Sequence, residues 1–306
     1  MKRLPTLSST FSRLCPLFAV AALAGLAGCS AVQFSYNNAG GLIRFMARDY
    51  ADLDPAQSEA LRRGVADLQD WHRNYELPEY VRVLQSAGKR VSRGVTRIDI
   101  DWAIDTLRKD YRRFAGRAAE EAAPLLVTLR TEQIDSIEKK LAKDEAKYVK
   151  EWLSDNPMRR ERHASERMID RFEEWTGNLS REQQARIKLF VHEHPRNAEI
   201  RLEERRRWQK TAVQLLRERR KADELASQLA LLFGEPDTQR SDEYVRETRR
   251  WESDLANLVV ELDKTLTAEQ RARVLRRMER YADDFNALTQ APRMAQQSAA
   301  PPNAAY

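Results

Sequence analysis

Four segments of this sequence share one pattern at the start of an expected helix. Each has a leucine, a glutamine four residues later, and apolar residues four and eight positions beyond the glutamine. A glutamine at the third helical position can complete a capping box, and apolar residues four apart lie on one helix face. The pattern therefore predicts an amphipathic helix at each segment. The four pairs are Leu53/Gln57, Leu129/Gln133, Leu179/Gln183 and Leu266/Gln270.

The composition agrees with a helical chain. Charged residues make up 33% of the sequence, and only 10 of 306 residues are glycine. Low glycine content with many Arg, Glu, Ala and Leu favours helices. The motif copies are 76, 50 and 87 residues apart, which is too irregular for a stacked solenoid. We predict an all-α fold, an elongated multi-helix bundle of amphipathic helices with no sheet.

Local signals predict where the helices begin and end. A corner is expected at Leu77, because Pro78 disfavours helix in the residue before it. Pro124 should kink or break a long helix that Asp99 caps. Three motif copies have a capping residue after the leucine, whereas the second has Arg130, so its cap should move to Thr131. A single charged helix is expected over residues 196–233.

The N-terminus has the features of a secretory leader. Residues 1–28 contain Lys2, Arg3 and Arg13, no acidic residue, and an apolar run too short to span a bilayer. The leader ends in Leu26-Ala27-Gly28-Cys29, which resembles a bacterial lipobox. In that motif the chain is cut before a cysteine whose thiol carries a diacylglycerol. The alternative is an ordinary signal peptide in which Cys29 is incidental.

The lipobox divides the chain into four parts. Residues 1–28 would be removed as the signal peptide, and 29–41 would be the lipidated cysteine and a short tether. Residues 42–290 would be the helical body, and the Ala-, Gln- and Pro-rich residues 291–306 a disordered tail. In Gram-negative lipoproteins an Asp after the cysteine commonly signals inner-membrane retention. Ser30 therefore predicts the outer membrane, with the body on its periplasmic face.

Cleavage also changes what the composition implies. Loss of the three basic residues of the leader lowers the formal net charge from +6 to +3. A remaining charge of +3 is only a weak argument for a nucleic-acid partner. Cys15 would leave with the leader and Cys29 would be lipidated, so neither a disulfide framework nor a thiolate metal site is expected. Basic runs near Arg159, Arg206 and Arg217 are interleaved with Glu and predict solvated helix faces.

Two resemblances to known families follow from these residues. The Leu179 and Leu266 segments resemble the Leu-Thr-x-x-Gln motif of Spy/CpxP-type periplasmic proteins, which are small all-helical chaperone and stress-response modules. The lipobox and three further segments resemble an uncharacterised proteobacterial helical lipoprotein family, a domain of unknown function, which implies no activity. Those segments are Tyr36–Asn38, Tyr50–Gln57 and Trp71–Tyr80.

The last of these segments is the candidate interaction segment, with Trp71, His72, Arg73, Glu76 and Tyr80. A packed or hydrogen-bonded corner is the alternative to a binding site at His72. Elsewhere, His192 and His194 diverge on a helix and cannot share a metal ion well, and both are expected to be exposed. His163 is expected to be solvated, and the Asp52/Asp54 and Asp99/Asp101 pairs to be caps.

No catalytic motif is present in the sequence, since it lacks a Gly-rich phosphate loop, a Gly-x-Ser-x-Gly elbow and a His-Glu-x-x-His helix. We expect no enzyme activity, no metal and no cofactor. The expected partners are the membrane, through the lipid anchor, and envelope proteins or unfolded clients, with no nucleic acid. The alternative is a structural envelope protein that contacts anionic lipid or lipopolysaccharide.

Overall fold

The computed structural model describes residues 31–218, 220–234 and 240–290. Within these residues every regular element is helical and no strand occurs, so the all-α prediction is confirmed. A π-helical turn, His72–Glu76, connects α2 to α3. The α-helices are α1 Ala31–Tyr50, α2 Pro55–Trp71, α3 Leu77–Ser92, α4 Arg97–Leu126, α5 Thr131–Trp152, α6 Pro157–Thr176, α7 Arg181–His192, α8 Asn197–Arg217, α9 Ala222–Gly234, α10 Asp242–Thr265 and α11 Ala268–Gln290.

The chain divides after Ala39 into two compact units, and the contacts described below lie in the second unit, from Gly40 onward. Its main packing pairs are α4 with α9 and α3 with α11. The largest core cluster lies where α4, α8 and α9 meet. The buried residues of that cluster are Ala119, Ala123, Leu215, Leu225, Leu229 and Leu232.

Among the described residues, no helix combines the length and the hydropathy needed to cross a bilayer.

The four glutamines of the repeated motif are all buried, and the fold brings them together in two pairs. In the first glutamine clamp, Gln57 and Gln133 are each 4% exposed, and the two side-chain amides donate to each other over 3.1 and 2.7 Å. Gln57 also donates to the Thr128 carbonyl over 2.9 Å, and Gln133 donates to the Asp52 carbonyl. The amides therefore join the loops that precede α2 and α5.

The second glutamine clamp repeats this geometry at the starts of α7 and α11. Gln183 and Gln270 donate to each other, each over 3.1 Å. Gln183 donates to the Thr265 carbonyl over 3.1 Å and Gln270 to the Asn178 carbonyl over 2.9 Å. Each glutamine contacts the residue just before its partner's motif leucine, as in the first clamp. The motif therefore joins helix starts that are distant in sequence, which a capping box alone does not predict.

Several predicted helix boundaries need correction. Helix α1 begins at Ala31, 11 residues before the expected start of the helical body at residue 42. Gly40 is buried within it, and a Cβ added there would lie 3.4 Å from Val65. Asp99 is the third residue of α4, and Thr96 is the N-cap. The cap of α5 is Arg130, whose N–H donates to the Gln133 side chain over 2.8 Å; a capping hydroxyl at Thr131 is therefore unnecessary.

Tertiary contacts explain the other differences. The helix expected over 196–233 is two helices, α8 and α9, and the buried leucines of α9 pack on α4 in the core cluster that Leu215 of α8 shares. Pro124 lies inside α4, two residues before its end, so it does not break the helix. The corner expected at Pro78 is a π turn, in which the Leu77 N–H donates to the His72 carbonyl.

Helices α2 and α4 approach each other closely at Gly64. A Cβ added at Gly64 would lie 2.7 Å from the backbone carbonyl oxygen of Glu121. Any larger residue would therefore force the two backbones apart. This contact holds α2, and the π turn that follows it, against α4.

Candidate functional site

The candidate site lies where the π turn faces α4. A π turn adds one residue to a helical turn and often marks a functional site. Here it turns His72 and Glu76 towards α4, and Tyr80 follows on α3. The pocket at this place has a volume of about 330 Å³. It is lined by His72, Tyr80, Leu107, Asp110, Tyr111 and Phe114.

Aromatic rings form most of the pocket wall. The His72 ring stands edge-on to Tyr80 and Phe114, with centroids 5.5 and 5.8 Å away. Tyr80 also packs against Phe285 of α11, 6.1 Å between centroids. Such edge-to-face contacts stabilise ring positions by about 0.5–1.5 kcal/mol per pair. The inner wall is therefore held in place by neighbouring helices, whereas Tyr111 at the rim is 51% exposed.

Two buried carboxylates, paired with a half-exposed arginine, lie beside the rings. Glu76 is 2% exposed, and Arg113 donates to both of its carboxylate oxygens over 2.9 Å. Arg113 donates to Asp110 Oδ1 over 2.9 Å as well. Bidentate pairing of this kind satisfies a carboxylate that has been removed from water. The arrangement leaves two carboxylates around one guanidinium.

The pKa values of the pocket residues follow from burial and these charges. Burial lowers the pKa of His72 below its usual 6.5, against the charge of Glu76, so the ring is neutral at neutral pH. Burial also raises the pKa of Asp110, with a smaller contribution from Glu76 in the same direction and opposition from Arg113. Burial, followed by the charges of Glu76 and Asp110, raises the pKa of Tyr80 to about 12.

The lining residues are suited to binding. They include no Ser, Thr, Cys or Lys, so the possible nucleophiles of the pocket wall are the Asp110 carboxylate, the His72 ring and the two tyrosine hydroxyls. The groups that titrate there are His72, Tyr80 and Asp110. Within the part of the chain that the structure describes, no group of three or more metal-ligating side chains occurs. Aromatic walls with one carboxylate provide shape and charge for a ligand.

The predicted interaction segment contributes to this pocket in part. His72 and Tyr80 line it, and Glu76 belongs to the adjoining charge cluster. Arg73 instead donates to the Leu288 carbonyl over 3.2 Å, joining the π turn to α11. Trp71 ends α2 and is half-buried. The lipobox residues Leu26, Ala27, Gly28 and Cys29, the sorting residue Ser30, and residues 291–306 lie outside the described residues.

Sequence reasoning missed the part of the site that α4 supplies. Asp110, Arg113 and Phe114 lie more than thirty residues beyond His72 in the chain and reach it only through helix packing. A signal was nevertheless present in α4, where Asp110 and Phe114 are four residues apart and share a helix face. An acidic residue on an otherwise apolar helix face indicates a buried partner.

The other histidines differ from expectation. His194 was expected to be exposed, but its side chain is only 5% exposed, 3.3 Å from Asp254, and packs on Phe190. His163 was expected to be solvated, but it is half-buried with its ring 4.9 Å from Trp152. His192 is exposed beside Glu161, as predicted. Packing of the rings against aromatic neighbours explains both corrections.

The second glutamine clamp adjoins a cleft of about 510 Å³. Arg273 and Arg276 line it together with the loop after α6 and the loop before α11. Gly177 has a φ of +79° there, as a glycine at a helix C-terminus often does. An added Cβ at Gly177 would lie 3.2 Å from the Arg273 side chain. The clamp amides in this wall are already hydrogen-bonded to each other.

The fold and the pocket define an all-helical protein with two glutamine clamps and an aromatic, acidic pocket beside a π turn. Residues 49–246 match the model of a family of unknown function, DUF6279. Because the match covers more than half of the chain, the protein belongs to this family. The resemblance to an uncharacterised family is thus confirmed, while its proteobacterial and lipoprotein character stays a prediction. Comparison with curated proteins and with solved structures found no match.

Proposed function

We propose that this protein is a non-catalytic lipoprotein that binds envelope proteins or unfolded chains. Its lipid anchor at Cys29 would hold it on the periplasmic face of the outer membrane of a Gram-negative cell. The leader, the lipobox and Ser30 support this location. One observation about the described residues supports the binding role most directly: an exposed apolar stripe on α1.

The α1 stripe consists of Leu42, Phe45 and Met46, which are 58%, 73% and 46% exposed. Their spacing places them on one face of the helix. Contiguous exposed apolar residues on a soluble surface indicate an interaction site more often than single ones do. Met and Phe adapt well to apolar partners of varied shape. The stripe begins 13 residues after Cys29 in the sequence.

The charge distribution favours a protein partner over anionic lipid. One arginine of each basic run is paired with a carboxylate within the fold, where it is less available to a polyanion. Arg160 contacts Glu199 at 2.8 Å, Arg206 contacts Glu145 at 2.7 Å, and Arg217 contacts Asp135 and Glu138. Contact with anionic lipid or lipopolysaccharide is the alternative role, and the arginine pairs weaken the case for it.

The binding role is tested by aggregation assays with the chain from Ser30 onward. A client protein is diluted from denaturant, and light scattering is followed with and without this chain. Substitution of all three α1 stripe residues by serine should reduce the suppression of aggregation. The matched control substitutes three exposed apolar residues elsewhere, Ile98, Met158 and Leu189, in the same way and should leave suppression intact.

Equal activity of the two triple variants, or no suppression by the parent chain at stoichiometric levels, would refute the binding role. Binding of the parent to anionic liposomes that high salt abolishes would instead favour the lipid-contact alternative. The location has its own test. Cys29→Ser should abolish incorporation of labelled fatty acid and release the protein from the outer-membrane fraction.

A further inference from the structure

We propose that the pocket beside the π turn binds an alkylammonium group. Four of its six lining residues are aromatic, namely His72, Tyr80, Tyr111 and Phe114, and the only lining carboxylate is Asp110. Aromatic faces attract cations through the ring quadrupole, and groups of such rings are the usual recognition element for quaternary ammonium ions. A carboxylate among the rings adds direct charge attraction.

The charges around the pocket favour a cation. Glu76 and Asp110 carry two negative charges, and Arg113 between them carries one positive charge, so the cluster has a net charge of −1. Glu79 of α3 adds a further negative charge near Asp110 and is itself paired with Arg82. His72, the basic lining residue, is neutral at neutral pH, because burial lowers its pKa.

Asp110 still has binding capacity. The residue is 8% exposed, and the hydrogen bond from Arg113 reaches Oδ1. Removal from water raises the pKa of Asp110, which means that its negative charge is poorly compensated in the free protein. An ammonium group entering the pocket would compensate that charge. Affinity for the cation should accordingly decline as the pH falls through the pKa of Asp110.

The size and openness of the pocket suit a small cation. Its volume of about 330 Å³ lies at the lower end of the range for small-molecule sites, roughly 300–1,000 Å³. Leu107 and Tyr111 at the rim are 64% and 51% exposed, so a ligand can enter without movement of a helix. The ammonium group could belong to a free amine or to a zwitterionic lipid headgroup, which present the same chemistry.

This site is independent of the proposed role of the α1 stripe, and its test uses different probes. Choline and tetramethylammonium are titrated into the protein by calorimetry, and the neutral tert-butyl analogue of choline serves as the shape control. We expect saturable binding of both cations and about tenfold weaker binding of the neutral analogue, since the ring and carboxylate attractions depend on charge.

Asp110→Asn should weaken choline binding by about tenfold or more, because it removes the charge and keeps the shape. Asp105→Asn is the matched control, since Asp105 is an exposed carboxylate on the same helix, and it should leave binding unchanged. Phe114→Leu, which removes a ring but no charge, should also weaken binding. It keeps the proposal testable if Asp110→Asn unfolds. Circular dichroism establishes that each variant is folded.

Vesicles distinguish the two sources of the ammonium group. Asp110-dependent binding to phosphatidylcholine vesicles, in addition to free choline, would assign a headgroup ligand, and binding of choline alone would assign a free alkylammonium ion. The proposal is overturned if neither cation binds saturably, if the neutral analogue binds as tightly as choline, or if folded Asp110→Asn and Phe114→Leu bind choline as the parent does. None of these results depends on client aggregation.

Discussion

Replacing Gln183 by methionine tests whether the glutamine clamps hold the fold together. Gln183 is 2% exposed. Its side-chain oxygen accepts from the Ser180 N–H over 2.9 Å and from Gln270 over 3.1 Å. Its amide nitrogen donates to the Thr265 carbonyl and to Gln270, each over 3.1 Å. Methionine keeps the length of the side chain and removes these four hydrogen bonds, together with a longer contact of 3.3 Å from the amide nitrogen to the Thr265 hydroxyl.

The expected cost follows from these contacts. Each buried hydrogen bond contributes about 1 kcal/mol net, so four losses cost about 4 kcal/mol. Burial of the more apolar methionine side chain offsets about 1 kcal/mol of this. We therefore expect Gln183→Met to lower the free energy of unfolding by about 3 kcal/mol. Urea titration followed by circular dichroism and by tryptophan fluorescence measures this change.

Gln184→Met is the matched control on the same helix. Gln184 makes only long contacts, at 3.5 Å to Glu173 and 3.4 Å to the Leu179 carbonyl, so its substitution should cost less than about 1 kcal/mol. The double variant at Gln183 and Gln270 should cost less than the sum of the single variants, because the two residues share two hydrogen bonds. Equal losses of unfolding free energy for Gln183→Met and Gln184→Met would show that the hydrogen bonds of the second glutamine clamp do not stabilise the fold.

Three further predictions concern the surroundings of the pocket, each read from urea midpoints. Arg113→Met should cost about 2–3 kcal/mol by leaving the Glu76 carboxylate buried and unpaired, and a loss below about 1 kcal/mol would contradict the pairing. Gly64→Ala should cost about 1–3 kcal/mol through overpacking against α4, whereas Gly116→Ala, with open space around it, should be neutral or stabilising by about 0.5–1 kcal/mol. Burial holds the pKa of His72 below its usual 6.5, so the unfolded state binds this proton more tightly. The stability contributed by neutral His72 is present above about pH 6.5 and is lost as the pH falls below it. His72→Phe should therefore flatten the pH dependence of the free energy of unfolding between about pH 7.5 and 5.5. An unchanged slope would contradict the lowered pKa of His72.

The helices themselves could be predicted from the sequence because their signals are local. Asp54 and Ser180 cap α2 and α7 with the glutamine three residues later, as the motif predicts. The break at Asn156-Pro157 and the end of α6 at Gly177 also lie where the residues indicate. Each of these depends on hydrogen bonds or φ angles within a few residues, which sequence patterns record directly.

The candidate site was predictable only in its first half. His72, Glu76 and Tyr80 lie within one short segment, and the segment was identified. Asp110 and Arg113 were missed because the contact between the π turn and α4 depends on close packing at Gly64. The break between α8 and α9 was also missed. No Pro or Gly marks it in the sequence, because packing against distant helices decides where α8 ends.

The repeated Leu/Gln motif shows the same division between local and tertiary information. The sequence by itself determined that four helices begin at these motifs, because capping involves only neighbouring backbone groups. Only the tertiary structure decided that Gln57 pairs with Gln133 and Gln183 with Gln270. A side-chain amide has donors and acceptors left over after capping, and burial forces them to find partners. Which partner each finds is set by how the helices pack.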